Sequence, residues 1–169
     1  MINAINIVLN TEMLILHRLK NSFASLILEL LNKQCWIKFI GDRNVHSIED
    51  ANNYIDKIKS NQNIAYWAVT IANTNTPIGL VTLIKRDYLN HPDIGFAFLP
   101  QYNGNGYAFE AANTLLHYLT NNVGYNTIEA CTLPDNVTSI KLLEKLGLQF
   151  TNQITHENDL LSIYSYTKV

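Results

Sequence analysis

The chain has 169 residues, of which 47% are hydrophobic and 15% charged. That is one domain's worth, with enough apolar material to offset chain entropy, so a disordered or disulfide-stapled chain is excluded. Net charge is −2, from 12 Lys and Arg against 14 Asp and Glu, which argues against nucleic acid as the main partner. No apolar run reaches membrane-span length, and Met1 to Asn10 has no basic residue ahead of an apolar stretch, so neither a membrane anchor nor a secretory leader is expected. Cys35 and Cys131 lie far apart, and no His or Cys pair stands at metal-ligand spacing. A cytoplasmic protein without a metal is expected. Asn is unusually common, at 22 positions, so a motif match resting on Asn alone carries little information.

Met13 to Leu19 reads as a strand. Asn21 is placed to cap a helix carrying Phe23, Leu26, Ile27 and Leu30 at helical spacing. Cys35 to His46 reads as a loop. Ser47, with Asp50 three residues on, opens a second helix whose apolar stripe is Ala51, Tyr54, Ile55 and Ile58. Three β-rich runs follow, Ala65 to Ile71, Ile78 to Ile84 and Asp93 to Leu99. Their short, turn-rich connections predict an antiparallel meander.

Beyond Pro100 the pattern changes. A loop from Gln101 to Gly106 leads into a helix with Ala108, Ala111, Ala112, Leu115 and Leu119 on one face, ending near Gly124. Thr127 to Leu133 reads as a strand, and Asn136 caps a short helix that stops at Gly147. Leu148 to Thr155 and Leu161 to Thr167 close the chain as a hairpin. One continuous domain over residues 1–169 is expected, of the α/β (α+β) class. Its sheet would be mixed but mostly antiparallel, with about six or seven strands and about four flanking helices.

The segment that carries chemistry is Gln101-Tyr-Asn-Gly-Asn-Gly-Tyr-Ala108. A strand ends, two glycines stand two apart, and a helix begins at once. Unpaired N–H groups and the positive dipole end of a helix N-terminus attract anions. Glycine lets that backbone approach a pyrophosphate closely. The dinucleotide fingerprint fails because Phe109 occupies its last small position, and the Gly-Lys-Ser/Thr of a P-loop is absent. Gln101, Gly104 and Gly106 fit instead the Gln/Arg-x-x-Gly-x-Gly/Ala loop that holds coenzyme A.

With that loop, the chain resembles the GNAT superfamily of N-acetyltransferases, and within it the branch of ribosomal-protein N-terminal acetyltransferases. Four segments carry the resemblance in order: Thr11 to Arg18, Asp93 to Pro100, Gln101 to Ala108, and Leu133 to Ile140 followed by Leu143-Glu-Lys-Leu-Gly147. It implies the GNAT fold and acetyl transfer from acetyl-CoA, as cosubstrate, to a primary amine by direct attack in a ternary complex. The alternative is a catalytically silent acyl-CoA-binding module of the same fold. The resemblance puts coenzyme A against Phe98, Leu99, Gln101, Tyr102, Asn103, Gly104, Asn105, Gly106, Tyr107, Ala108, Asn136 and Ser139. It implies Asp93 as general base, the Leu99 N–H as oxyanion donor and Ser139 as the group assisting the leaving thiolate. Glu129 and His117 are secondary candidates for the base. The loop lacks the Arg or Lys common in relatives, and Leu143 stands where many carry Tyr. Asn136 and Asp93 are open to plainer readings, as a helix cap and a solvated strand-end carboxylate. Acceptor choice is expected from Cys35 to His46, Arg86 to His91 and Thr155 to Asp159. The last holds His156, Glu157 and Asp159, a set that would suit a cationic acceptor. Monomer and homodimer both remain open.

Overall fold

The computed structural model describes residues 1–168. Eight strands form one sheet: β1 (Leu9–Asn10), β2 (Leu14–Arg18), β3 (Ile64–Ile71), β4 (Pro77–Ile84), β5 (Asp93–Phe98), β6 (Thr127–Thr132), β7 (Gln149–His156) and β8 (Asp159–Thr167). Their spatial order is β1-β2-β3-β4-β5-β6-β8-β7. Every neighbouring pair is antiparallel except β5 and β6. Five α-helices cover the sheet: α1 (Ala24–Leu31), α2 (Gln34–Phe39), α3 (Ile48–Ser60), α4 (Tyr107–Tyr118) and α5 (Val137–Lys145). None of them is long and apolar enough to cross a membrane.

The alternation of strand side chains builds two cores. Trp67, Val81, Leu83 and Ile94 pack with Ala112 and Leu115 of α4 and Leu143 of α5. On the other face, Ala68, Leu80 and Leu99 pack with Ile27 and Leu30 of α1, Trp36 of α2 and Ile55 of α3. Each helix therefore has one apolar stripe committed to one face of the sheet.

The expected mixed, mostly antiparallel sheet is present, and its extra members are small. β1 has two residues, too few to register as a period, and pairs with β2 through Leu9 and Asn10. α2 takes the first part of what reads as a loop from Cys35. It has six residues and no side-chain cap, so neither length nor a start signal marks it. Asn21 is not a helix cap. It sits in a 3₁₀ turn, Asn21–Phe23, that leads into α1, and its amide donates to Asn52 Oδ1 and Asp56 Oδ1 on α3. Ser47 does cap α3, its Oγ accepting the Asp50 N–H at 3.1 Å, while Asp50 Oδ2 accepts the His46 N–H at 3.0 Å.

Two glycines set the spacing of the central strands. A Cβ on Gly79 of β4 would stand 2.5 Å from Phe98 Cδ1 and 2.6 Å from the Ala97 carbonyl oxygen of β5. A Cβ on Gly95 of β5 would stand 2.6 Å from Thr82 Oγ1. Because a backbone carbonyl cannot swing aside, Gly79→Ala should destabilise the fold by about 1–3 kcal/mol, as overpacking does. The check is the denaturant midpoint, with an unchanged slope expected.

Candidate active site

β5 and β6 run parallel but pair at one step only, Asp93 with Glu129. There the Glu129 N–H donates to the Pro92 carbonyl at 2.9 Å. In a continuing parallel ladder the Cys131 N–H would go to the Ile94 carbonyl. It goes instead to Asp93 Oδ1, at 3.2 Å. A side chain has taken the place of a strand, and past this point β5 and β6 diverge into a cleft.

Asp93 is buried, at 3% exposure. Its Oδ2 is held by Arg86 Nε and lies 3.8 Å from Cys131 Sγ. Burial pushes the Asp93 carboxyl up, opposed by the Arg86 guanidinium and the Cys131 N–H. Burial lowers Arg86, but Asp93, Cys131 and Tyr88 together outweigh it and hold the guanidinium above its ordinary range. Burial first, and the Asp93 charge second, push the Cys131 thiol up to about 12. The Tyr88 hydroxyl sits 3.8 Å from that sulfur, and the Tyr88 ring stacks on His156 at 3.9 Å between centroids.

The cleft encloses about 1080 Å³. That is at the upper end of the roughly 300–1,000 Å³ of ordinary ligand pockets. One end is formed by the segment from Phe98 to α4. Gly104 and Gly106 have φ of +83° and +80°, with nothing within 4 Å of where a Cβ would be. The Tyr102 and Asn103 N–H groups turn inward to Leu99 and Pro100 carbonyls, closing a 3₁₀ turn. The first α4 amide to find a helical carbonyl is Glu110, on Gly106 at 3.0 Å. Gly106 has no side chain to cap the helix, so the first-turn N–H groups are left for a ligand. The Glu110 carboxylate is drawn away to Thr11 and the Met13 N–H, which keeps a negative charge off this end.

Of the residues singled out by sequence, Phe98, Tyr102, Asn103, Gly104, Gly106 and Tyr107 line this cleft. Ala108, Asn136, Ser139 and Asp93 line it too. Gln101 and Asn105 do not. Gln101 Nε2 donates to Glu29 Oε1 on α1, and Asn105 Nδ2 braces the loop on the Tyr102 and Asn103 carbonyls. Leu99 does not line it either, and its proposed donor role is corrected. Its N–H donates to the Ile78 carbonyl on β4 at 2.9 Å. By the two-residue alternation of the β4–β5 ladder, the N–H groups of Ile94, Phe96 and Phe98 face β6. Ile94 is at the paired step, so Phe96 and Phe98 present their amides to the open cleft.

Asn136 caps α5, its Oδ1 accepting the Ser139 N–H at 3.3 Å, and still lines the cleft. Glu129 Oε2 accepts the His91 N–H at 2.9 Å and does not line the cleft, and His117 is exposed on α4. No residue of 155–159 lines it, so the acidic tip suited to a cation stands outside. Lys141 and Lys145, which the sequence offers for phosphate binding but does not place, both line the cleft from α5. The signal for placing them was their spacing, four apart on one helix face. Trp36 belongs to the core and also lines the cleft, and its buried Nε1 has no hydrogen-bond partner among the described residues.

A glycine-lined helix start beside a pair of parted parallel strands can be compared with known proteins. Residues 13–149 match the acetyltransferase (GNAT) domain family. The chain belongs to the GNAT acetyltransferase family. It is 30% identical over 105 residues to the uncharacterized N-acetyltransferase YnaD of Bacillus subtilis, covering 62% of this chain and 61% of that one. It is 26% identical over 148 residues to YoaA of the same organism, covering 84% and 82%. In fold it is similar to a GNAT-family acetyltransferase of Bacillus anthracis, with a TM-score of 0.81 at 23% identity over 95% of this chain and 98% of that one. It is also similar in fold to RimL, a ribosomal L7/L12 α-N-protein acetyltransferase solved with coenzyme A. There the TM-score is 0.82 at 12% identity, over 95% and 98%. Family and relatives together support an enzyme of the acetyltransferase class.

The Asp93–Arg86–Cys131 cluster makes a checkable statement about thiols. Cys35 is exposed. At pH 8 one thiol per native GNAT chain should react quickly with a maleimide, and Cys131 should lag far behind. Its rate should climb about tenfold per pH unit, since pH 8 lies well below about 12 and only the thiolate reacts. In Asp93→Ala the charge holding that thiol up is gone while Arg86, which pulls it down, remains. Native-state labelling at Cys131 should then accelerate, as counted by intact-mass spectrometry.

Proposed function

We propose that this chain transfers the acetyl group of acetyl-CoA to the nitrogen of a primary amine, by direct attack with both reactants in the cleft. The observation that carries the reading is the continuity of one cavity from the bare, glycine-lined start of α4 through the gap between β5 and β6. Acetyl-CoA supplies an activated acetyl thioester, and its pyrophosphate matches the chemistry of the α4 end. The open space over Gly104 and Gly106 would admit it, the α4 amides would donate to it, and Lys141 and Lys145 would supply the charge that the loop lacks.

In this reading the Phe96 and Phe98 amides pair with the pantetheine arm and polarise the carbonyl under attack. Asn136 offers its free amide to the same arm while its Oδ1 caps α5. Ser139 is the hydroxyl available to donate to the leaving sulfur, since Leu143, in the position of the family's frequent tyrosine, is buried and apolar. Asp93 we assign to positioning rather than proton abstraction: its oxygens are engaged by Cys131 and Arg86, and it holds the strands apart. The ammonium proton of the acceptor would leave to water in the open cleft.

Thiol release from acetyl-CoA across a panel of primary amines and N-terminal peptides tests the reading, with acetyl-CoA-dependent thermal stabilisation read on the same sample. Release with any acceptor is the expected result. Stabilisation without release would favour the silent acyl-CoA-binding module, for which the apolar Leu143 speaks. Neither effect would remove coenzyme A from this loop. Gly106→Val forces a β-branched residue into a left-handed φ, at a cost of roughly 1–2 kcal/mol, and fills the space above the loop. It should weaken acetyl-CoA binding by about tenfold or more, and its strain should lower the melting temperature without ligand by a few degrees. Lys141→Ala should also weaken binding and reduce its salt dependence.

A further inference from the structure

The cleft is lined by five of the chain's 12 Lys and Arg side chains but by one of its 14 Asp and Glu. A protein with a net charge of −2 thus concentrates positive charge in its cavity. Lys141 and Lys145 stand at the coenzyme A end, on α5. The other three do not. Arg43 follows α2, Lys57 lies on α3, and Arg86 follows β4, all over the opposite face of the sheet. Neither Arg43 nor Lys57 forms an ion pair among the described residues. Arg43 makes one hydrogen bond, from a terminal nitrogen to the Ile40 carbonyl at 3.2 Å. The sole carboxylate, Asp93, is already held by Arg86.

Tyr54 and Tyr66 line the same part of the cleft. They interact with each other, and the charge of Arg43 reaches both while that of Arg86 reaches Tyr66. Burial keeps both hydroxyls in their neutral, donating form. Trp36 also lines the cleft, 5% exposed, but its indole nitrogen is closed off from the open space and has no acceptor among the described residues. A buried donor left unpaired costs about 1–3 kcal/mol. The wall therefore carries cations and tyrosine hydroxyls among aromatic rings, with Asn61 and Thr82 as neutral polar neighbours and Asp93 as the one carboxylate among the lining residues. Such a wall repels a polyamine and fits an anion carried on an apolar body.

We infer that the amine accepted at this site also bears a carboxylate, held by Arg43 with the tyrosine hydroxyls, and an apolar side chain: the substrate class is a free amino acid. The inference rests on the acetyltransferase reading, and its test separates the two. N-acetyl-L-phenylalanine and N-acetyl-L-leucine, the corresponding products, are titrated calorimetrically into the protein with coenzyme A present, each against its primary amide. The acids should bind at least tenfold more tightly than the amides. The preference should shrink with added salt and fall below threefold in Arg43→Ala, a surface substitution expected to fold normally. Equal affinities, a preference for the amides, binding of neither, or a preference untouched in Arg43→Ala would each overturn the inference. In the turnover arm, L-phenylalanine and L-leucine should exceed their amides, spermidine and O-phosphoethanolamine in kcat/KM. If spermidine or a neutral amide wins, the carboxylate site falls and the acetyltransferase reading stands. If the phosphate-bearing amine wins, the anion site stands but the amino-acid class is overturned. If acids bind selectively and no acceptor releases thiol, the carboxylate site stands and the acetyltransferase reading falls.

Discussion

The bond from the Cys131 N–H to Asp93 Oδ1 decides how this sheet can be used. A parallel pair of central strands ordinarily closes along its length, and closed strands leave no room for a ligand. Here one carboxylate caps the ladder after a single paired step, so the remaining backbone groups of β5 and β6 face a gap. The same carboxylate would be unstable in that buried position without Arg86, because an unpaired buried charge is strongly penalised. The cleft, the exposed Phe96 and Phe98 amides and the orientation of Arg86 are thus consequences of one side chain at the first residue of β5.

This dependence explains why the glycine loop at the start of α4 was far more legible in the sequence than the gap between β5 and β6. A phosphate cradle is local: two glycines, a strand end and a helix start lie within eight residues, and each has its own conformational signature. Gly104 and Gly106 adopt the left-handed backbone that their residue type makes affordable. Helix caps are local too, which is why Ser47 and Asn136 behave as the pattern indicates. Asn21 shows the limit. Its side chain serves a tertiary contact with α3, and nothing within its own segment encodes that choice.

Direction along a strand is a different kind of information. Whether the Leu99 or the Phe98 N–H enters the cleft depends on the register against β4, which is set by Gly79 facing Phe98. A one-residue change in register would exchange the two amides. The partner of Asp93 was invisible for a similar reason. Arg86 lies seven residues earlier across a tight turn, and only the antiparallel pairing of β4 with β5 brings the two together. Short elements such as β1 and α2 escaped because their lengths fall below what periodicity can register.

The distribution of charge separates binding from chemistry within the one cavity. At the α4 end, Lys141 and Lys145 line the cleft near the backbone N–H groups that begin the helix, a set that would suit a phosphate-rich ligand. On the opposite face, the cations surround rings and hydroxyls, and the only carboxylate is neutralised in place. A site arranged in this way gives an incoming ammonium group no counter-ion. Its nitrogen is held at the gap only through contacts to the rest of the acceptor, and the absence of a stabilising carboxylate favours loss of its proton to solvent. In the proposed reading, recognition through a remote anionic group and loss of the amine proton to water both draw on this electrostatic arrangement.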